Sequence, residues 1–227
     1  MTSTSVPAIA SYSMPTRSEL PAPRLSWRID RGKAVLLIHD MQAYFLSFFP
    51  PGMPPVTDLI RNAALIKRAA AAARVPVVYT AQPGAMTRSQ RGLLYDLWGP
   101  GMDGDPANRQ VVPEVAPREG DIVLTKWRYS AFVRSPLGEL LGEWGRSQLV
   151  ICGVYAHVGC LATANDAYAR DVQAFLVADA IADFTPEYHR LALTWAAERC
   201  AATVTTADVI GAFLSQEEFG RAPQDGE

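Results

Sequence analysis

The chain has 227 residues and contains few of the side chains that form disulfide bonds or bind transition metals. It has three cysteines and three histidines, and neither type recurs at the spacing of a zinc site. An odd number of cysteines in apolar surroundings is typical of reduced, buried thiols. We therefore expect no metal and no other cofactor, and we expect Cys152, Cys160 and Cys200 to be free thiols.

Long hydrophobic runs and blocks of basic charge are also missing. The N-terminus has no hydrophobic signal core, and no apolar run approaches the length of a membrane span. The 21 basic and 23 acidic residues give a net charge of −2, without a basic cluster that would favour nucleic acid. The sequence thus predicts a cytoplasmic protein whose partner is a small molecule, neither a membrane nor a nucleic acid.

What the chain does contain is an alternation of short apolar runs and helix-like segments between residues 34 and 214. Strands are predicted at residues 34–39, 76–80, 121–125, 148–152, 172–178 and 204–206. Helices are predicted at 58–74, 137–144 and 160–170, from Thr185-Pro186-Glu187 onward, and after Thr206 as a cap. Strands separated by helices predict parallel βαβ crossovers, and hence a Rossmann-like α/β/α sandwich of three layers with a mostly parallel six-stranded sheet.

Three segments stand apart from this alternation. Residues 1–33 are rich in Ser, Pro and Thr and are predicted to form an arm over the surface of the domain. Residues 215–227 are predicted to be a polar tail. Residues 82–117 are rich in glycine and proline, and a loop of this length in a compact domain is often functional. Whether it walls a pocket or only covers the domain is open at this point.

Polar residues follow three of the predicted strands. Asp40 follows the first, Lys126 the third and Tyr155 the fourth. Ligands bind at the carboxyl ends of the strands in an open α/β sheet, so a carboxylate and an ammonium there outline an acid/base site. Taken alone, each residue is weak support, because an Asp after a strand is often only a turn or cap residue.

Four ordered segments strengthen this interpretation. Residues 39–45 (HDMQAYF), 125–132 (TKWRYSAF), 151–164 (ICGVYAHVGCLATA) and 175–184 (FLVADAIADF) resemble the motifs of the isochorismatase-like (cysteine hydrolase) family. The resemblance extends from about residue 25 to about residue 209. In the long loop, residues 80–84, 90–94 and 98–102 resemble the subgroup of phenazine-pathway isochorismatases.

The resemblance implies a particular chemistry. Nicotinamidase-type members carry a nucleophilic cysteine where this chain has Gly159, so the implied reaction is hydrolysis of a vinyl ether by proton transfer. The expected substrate is 2-amino-2-deoxyisochorismate, with isochorismate as the alternative. Asp40 would be the general acid, and Lys126 would hold its carboxyl group and bind substrate oxygens. Burial would raise the pKa of Asp40 and Lys126 would lower it, so the net direction is open.

The resemblance also implies the residues that line the pocket. Gly159 opens a predicted helix, where free backbone N–H groups would favour an anion. Arg91 suits a substrate carboxylate because its planar guanidinium binds both oxygens. The remaining expected lining residues are Gln82, Tyr129, Tyr155 and Val158, with Tyr44, Phe45 and Trp98 as apolar walls. A cis peptide is expected between Val154 and Tyr155, and a homodimer is the expected assembly.

Cys160 and two histidines need separate interpretation. Cys160 lies one position after Gly159, and one residue along a helix is a rotation of about 100°, which would turn the thiol away from Asp40. A packed cysteine is therefore favoured, and an amidase that uses Cys160 is the alternative. His157 is expected to be a structural hydrogen-bonding residue near the cis peptide, and His189 a surface or interface residue.

Overall fold

The computed structural model describes residues 6–215, and its centre is a six-stranded parallel sheet. The strands are β1 (Ala34–His39), β2 (Val77–Ala81), β3 (Ile122–Thr125), β4 (Gln148–Val154), β5 (Gln173–Ala182) and β6 (Ala201–Val204). They lie in the order β3-β2-β1-β4-β5-β6, and every neighbouring pair is parallel. The order reverses between β1 and β4, so the topological switch point lies beside β1.

Helices cover both faces of this sheet. They are α1 (Ala43–Leu46), α2 (Val56–Ala72), α3 (Arg88–Arg91), α4 (Leu94–Trp98), α5 (Pro106–Arg109), α6 (Leu137–Glu143), α7 (Leu161–Tyr168), α8 (Pro186–Arg199) and α9 (Thr206–Leu214). Within the described residues, none of these helices is long and apolar enough to cross a membrane.

Alternation along β1 shows how the three layers form. Leu36 and Ile38 pack in one core with side chains of α2 and α9. Val35 and Leu37 pack in the other core with α6, α7 and α8. All six residues of β1 are buried, as expected for a central strand covered on both faces. The predicted three-layer α/β/α architecture is therefore confirmed.

Most predicted boundaries agree with the structure to within a few residues, but the bounds of the last strand and the N-cap of the helix after it were wrong. β6 runs Ala201–Val204 rather than over 204–206. The prediction missed its first residues because alanine is typical of helices and uncommon in strands. The N-cap of α9 is Thr205, whose side chain accepts from the amide of Asp208. Thr206 instead donates its hydroxyl to the Asp179 carboxylate at 2.8 Å.

The described part of the N-terminal segment lies along the domain. The amide of Ile9 donates to the carbonyl of Phe48 at 2.9 Å, and the side chain of Ile9 is buried. The Tyr12 hydroxyl lies 3.2 Å from Nδ1 of His189, whose Nε2 lies 3.0 Å from the carbonyl of Ala178. His189 is fully buried, so its expected surface position was wrong. Residues 1–5 and most of the predicted tail, 216–227, lie outside the described residues.

The long segment between β2 and β3 is built from short helices rather than irregular chain. It contains α3, α4 and α5, followed by one turn of 3-10 helix at Pro113–Val115. An isolated antiparallel bridge pairs Val111 with Gln42, just after β1. This pairing brings the segment back across the carboxyl end of the sheet, where the strand-end residues lie.

Candidate active site

Asp40, Thr80 and Lys126 meet at the carboxyl ends of three adjacent strands. The Lys126 ammonium lies 3.2 Å from Oδ2 of Asp40, and the Thr80 hydroxyl donates to Oδ1 at 2.6 Å. All three residues are buried. Asp40 has a φ of 50°, a left-handed conformation in which Asp is tolerated better than most residues. The main chain thus turns sharply after β1 and directs the carboxyl group toward β2 and β3.

The charge on Asp40 is set by competing influences. Burial by itself raises the pKa of this carboxyl, but Lys126, His39 and the Thr80 hydrogen bond together bring the pKa below its ordinary value. The sequence left the net direction of this pKa shift open, and in the structure the apolar surroundings do not keep Asp40 protonated. Asp40 is therefore a carboxylate near neutral pH, paired with Lys126.

His39 lies directly behind this pair. Its ring is fully buried, and Nδ1 lies 2.8 Å from the carbonyl oxygen of Val154 and 3.8 Å from Oδ2 of Asp40. Burial and the nearby Lys126 ammonium lower the pKa of His39 to about 4, so the ring is neutral near pH 7. A neutral ring that carries its proton on Nδ1 can donate a hydrogen bond to the carbonyl oxygen of Val154.

A cleft of about 630 Å³, including its open mouth, is centred on this cluster. Its walls contain all eleven residues predicted for the site: Asp40, Tyr44, Phe45, Gln82, Arg91, Trp98, Lys126, Tyr129, Tyr155, Val158 and Gly159. The long segment between β2 and β3 therefore does wall a pocket, whereas the individual roles of these residues remain predictions.

Arg91 is the most unusual of the wall residues. It is buried, its Nε donates to the carbonyl of Gly99 at 2.5 Å, and its Nη1 lies 3.5 Å from Oε1 of Gln82. No carboxylate within residues 6–215 forms a salt bridge with Arg91, and burial lowers its pKa. A buried guanidinium without an anion is costly, so this position favours an anionic ligand.

Aromatic side chains form the rest of the wall. Tyr155 packs against Phe184 with their ring centroids 4.5 Å apart, and the Tyr155 hydroxyl donates to the carbonyl of Phe45 at 2.8 Å. The indole nitrogen of Trp98 donates to the Tyr129 hydroxyl at 2.6 Å. These hydrogen bonds orient the rings, whose carbon atoms make this wall largely apolar.

The turn after β4 differs from its predicted role. The peptide between Val154 and Tyr155 is cis, as expected. The amides of Val158, Gly159 and Cys160 all point to the carbonyl of Tyr155, at 3.1–3.2 Å. The expectation of free N–H groups for an anion was therefore wrong, because this wide turn of π-helical geometry uses them internally.

Asp183 and His157 hold this turn from the other side. The Asp183 carboxylate accepts from the His157 amide at 2.6 Å, from the Phe184 amide at 2.8 Å, and lies 2.7 Å from Nδ1 of His157. The predicted structural role of His157 is consistent with these contacts. Phe184, beside Asp183, extends into the cleft wall.

Cys160 packs away from the cleft. It is fully buried in the core formed with α6, α7 and α8, and it is not among the cleft-lining residues. Burial raises the pKa of its thiol well above the ordinary value, which disfavours the nucleophilic thiolate. The prediction of a packed cysteine is confirmed, and all three cysteines are free and buried.

Sequence reasoning missed six residues that line the cleft: Val6, His39, Leu94, Arg128, Val154 and Phe184. His39, Arg128 and Phe184 lie inside the quoted motifs and could have been included on that basis. Val6 could not, because nothing in a Ser- and Pro-rich arm indicates which residue reaches the pocket. Within the described residues, no group of three or more His, Cys, Asp or Glu side chains is arranged to hold a metal ion.

Comparison with known proteins agrees with this geometry. A family model described as the isochorismatase domain matches residues 34–208. The phenazine biosynthesis protein PhzD of Pseudomonas fluorescens is 53% identical over 207 residues, covering 91% of this chain and 99% of that protein. The isochorismatase of Bacillus subtilis (strain 168) is 48% identical over 220 residues, covering 97% of this chain and 69% of that protein.

Solved structures show the same fold at lower identity. A cysteine hydrolase from Pseudomonas syringae pv. phaseolicola 1448A has a TM-score of 0.74 at 23% identity, over 85% of this chain and 97% of that one. The N-carbamoylsarcosine amidase of Thermoplasma acidophilum has a TM-score of 0.65 at 26% identity, over 77% of this chain and 96% of that one. With its domain match and these relatives, the chain belongs to the isochorismatase family and is a hydrolase of the isochorismatase type.

Proposed function

We propose that this enzyme hydrolyses the enolpyruvyl (vinyl) ether of 2-amino-2-deoxyisochorismate, giving trans-2,3-dihydro-3-hydroxyanthranilate and pyruvate. The observation that carries the proposal is the Asp40–Lys126 pair in a cleft that also contains the buried Arg91, which pairs with no carboxylate of residues 6–215; no cysteine of those residues lines the cleft. The name of the relative from Pseudomonas fluorescens, a phenazine biosynthesis protein, supports the amino substrate over isochorismate.

The proposed reaction begins with the acid form of Asp40. It delivers a proton to the CH2 carbon of the enolpyruvyl group, which creates an oxocarbenium ion. Water then adds to this ion, and the hemiketal collapses to pyruvate and the ring alcohol. Water and the ether are consumed, the departing ring oxygen gains a proton, and Asp40 regains its own. No covalent bond to the enzyme is needed.

Substrate binding supplies the reason for Asp40 to become protonated. The substrate carries two carboxylates, and the cations that line the cleft are Lys126, Arg91 and Arg128. A carboxylate near Lys126 offsets the charge that lowers the pKa of Asp40, and the bound ring displaces water around the acid. Both changes favour the neutral carboxyl. Arg91, with Gln82 beside it, would bind a substrate carboxylate.

The alternative substrate is isochorismate, which has a hydroxyl in place of the amino group. The relative from Bacillus subtilis carries the name isochorismatase, which favours this second candidate. One cleft can accept both molecules because they differ at a single ring substituent. We further propose that the enzyme is a homodimer located in the cytoplasm, as the family resemblance implies.

Pyruvate release tests the proposal. Purified enzyme is given 2-amino-2-deoxyisochorismate and isochorismate in parallel, with EDTA present, and pyruvate is measured with a coupled dehydrogenase. We expect release from both and a higher kcat/KM for the amino substrate. A higher kcat/KM for isochorismate would transfer the proposal to that substrate. Absence of pyruvate from both would overturn it and direct attention to amide substrates.

A further inference from the structure

Two glycines of the 151–164 segment lie against a single residue, His39. A Cβ at Gly159 would lie 2.2 Å from Cε1 of His39 and 2.9 Å from Nε2. A Cβ at Gly153, whose φ is 119°, would lie 2.0 Å from the His39 carbonyl oxygen. Non-bonded contacts this short are essentially never seen for a Cβ atom, so the backbone or the His39 side chain must move if either glycine gains a side chain. Gly153 therefore accommodates the backbone of His39, and Gly159 accommodates its ring.

The His39 ring has little freedom to yield. It is fully buried, and Nδ1 is held by the carbonyl of Val154 at 2.8 Å. Nε2 is buried without a hydrogen-bond partner within the described residues. Overpacking a rigid interior forces side chains from their rotamers and shifts the backbone. The space beside residue 159 thus holds the imidazole or a side chain at 159, but not both.

The His39 ring lies beside the turn that carries Asp40, with Nδ1 3.8 Å from Oδ2 of Asp40. Asp40 is the next residue and turns away in a left-handed conformation. Its amide lies 3.2 Å from the carbonyl of Thr80, and its carboxyl is aimed at Lys126. The backbone of His39 lies against Gly153 and its ring against Gly159. These contacts leave the turn at Asp40 little room to move toward the 151–164 segment. A displaced ring would move the carboxyl relative to a bound ether.

We propose that His39 is a positioning residue of this site: its imidazole takes the space that a side chain at position 159 would need, and from there it fixes the turn that aims Asp40 into the cleft. The kinetic part of this proposal rests on the proposed function, and the steric part does not. Glycine at 159 is then more than the absence of a nucleophile, because it is the condition for the histidine to sit behind the acid. The two positions are coupled.

A thermal unfolding cycle tests the steric part without any assay of activity. The variants are Gly159→Ala, His39→Val and the double variant, with Gly211→Ala as the matched control. Gly211 lies in α9, and a Cβ there would meet no atom of residues 6–215 within 4 Å. We expect Gly159→Ala to lower the Tm by about 5 °C in the wild-type background and by less than about 2 °C in the His39→Val background. Gly211→Ala should not lower it. An equal loss in both backgrounds would overturn the steric coupling.

Kinetics test the positioning part. His39→Val should lower kcat by about 30-fold with KM changed less than about threefold, since small misplacements of a catalytic group are costly. His39→Asn keeps a donor near the position of Nδ1 and should recover most of kcat. A His39→Val enzyme with kcat within threefold of wild type, or an Asn variant no better than Val, would overturn the positioning role.

The two experiments separate this proposal from the proposed function. If wild-type enzyme releases no pyruvate from either ether, the function fails, while the unfolding cycle still decides whether His39 and Gly159 share one space. If the wild type is active and the cycle shows no coupling, the function stands and the role given to His39 is wrong.

Discussion

Asp40 and Asp183 are two buried carboxylates at the carboxyl edge of the same sheet, and their surroundings differ in kind. Asp183 accepts from the main-chain amides of His157 and Phe184 and from the ring of His157, so its oxygens are occupied by donors that hold the turn after β4 against the end of β5. Asp40 accepts from the hydroxyl of Thr80 and pairs with the Lys126 ammonium. Its partners are side chains from other strands, and it borders the cleft.

The difference explains how one residue type serves two purposes. A carboxylate saturated by backbone donors fixes a turn, because its hydrogen bonds are lost whenever the turn moves. A carboxylate held by one hydroxyl and one ammonium can exchange a proton while the backbone stays in place. Asp183 is therefore suited to holding the wall that includes Phe184, and Asp40 to the proton transfer that we propose for it.

The strongest test of this comparison is Asp40→Asn. Asparagine keeps the size of the side chain but cannot deliver a proton, so kcat for pyruvate release should fall by at least about 10³-fold. Calorimetric titration with the intact ether should still show binding, because Arg91 and the aromatic walls are unchanged. Substantial turnover by this variant would remove Asp40 from the role of acid.

The pH dependence of kcat/KM should be the next largest effect. Lys126, His39 and Thr80 outweigh burial and lower the pKa of Asp40, so the acid form is the minor form of the free enzyme at neutral pH. Since kcat/KM reports the free enzyme, it should rise about tenfold for each unit of pH decrease between about pH 8.5 and 6.5. A profile that falls with decreasing pH would contradict an acid role for Asp40.

The lower limit of that pH range is set by stability. The folded-state pKa of His39 is about 4, below the ordinary value of about 6.5. Between these values the unfolded chain binds a proton that the folded protein does not, so the fold loses stability as pH falls through this window. Rates measured above it report the chemistry rather than unfolding.

Asp183→Asn should show the opposite balance from Asp40→Asn. One acceptor oxygen becomes an NH2 group that faces donors, so the free energy of unfolding should fall by about 1–3 kcal/mol in urea titrations. Pyruvate release should fall less than about tenfold, because only the position of the Phe184 wall changes. If this variant were inactive yet fully stable, Asp183 would belong with the chemistry and the comparison would fail.

Cys160→Ala should have the smallest effect. The thiol is buried in the core opposite the cleft, so the substitution should cost about 1 kcal/mol of stability. Pyruvate release should remain within about twofold of wild type, and iodoacetamide should not inhibit the native enzyme. Loss of activity in the alanine variant would revive the amidase alternative.

Much of the site follows from where strands end in the sequence. The sequence places Asp40 and Lys126 at one edge because parallel strands present their carboxyl ends together, and the Thr185-Pro186 cap predicts the start of α8. Local pattern was sufficient in these cases. The Arg91 assignment required the family resemblance, since a lone arginine in a loop has no distinguishing pattern.

What escaped prediction depends on contacts through space. The contact of the His39 ring with Gly159 joins residues far apart in the chain, and no periodicity encodes it. The burial of His189 depends on Tyr12 from the arm. The pKa of Asp40 is the result of opposing influences whose sizes depend on distances of a few ångströms, so composition could give the influences but not their sum.

The segment between β2 and β3 is tied down at its far end by α2. The ammonium of Lys67, a buried residue of that helix, donates to the carbonyls of Val115 and Ala116. The segment is therefore continuous with β2 at one end and with β3 at the other, and α2 holds it near the second of these ends. We expect that residues of its interior, such as Arg91 and Trp98, can be replaced to suit a substrate with a different ring while Asp40, just after β1, keeps its position.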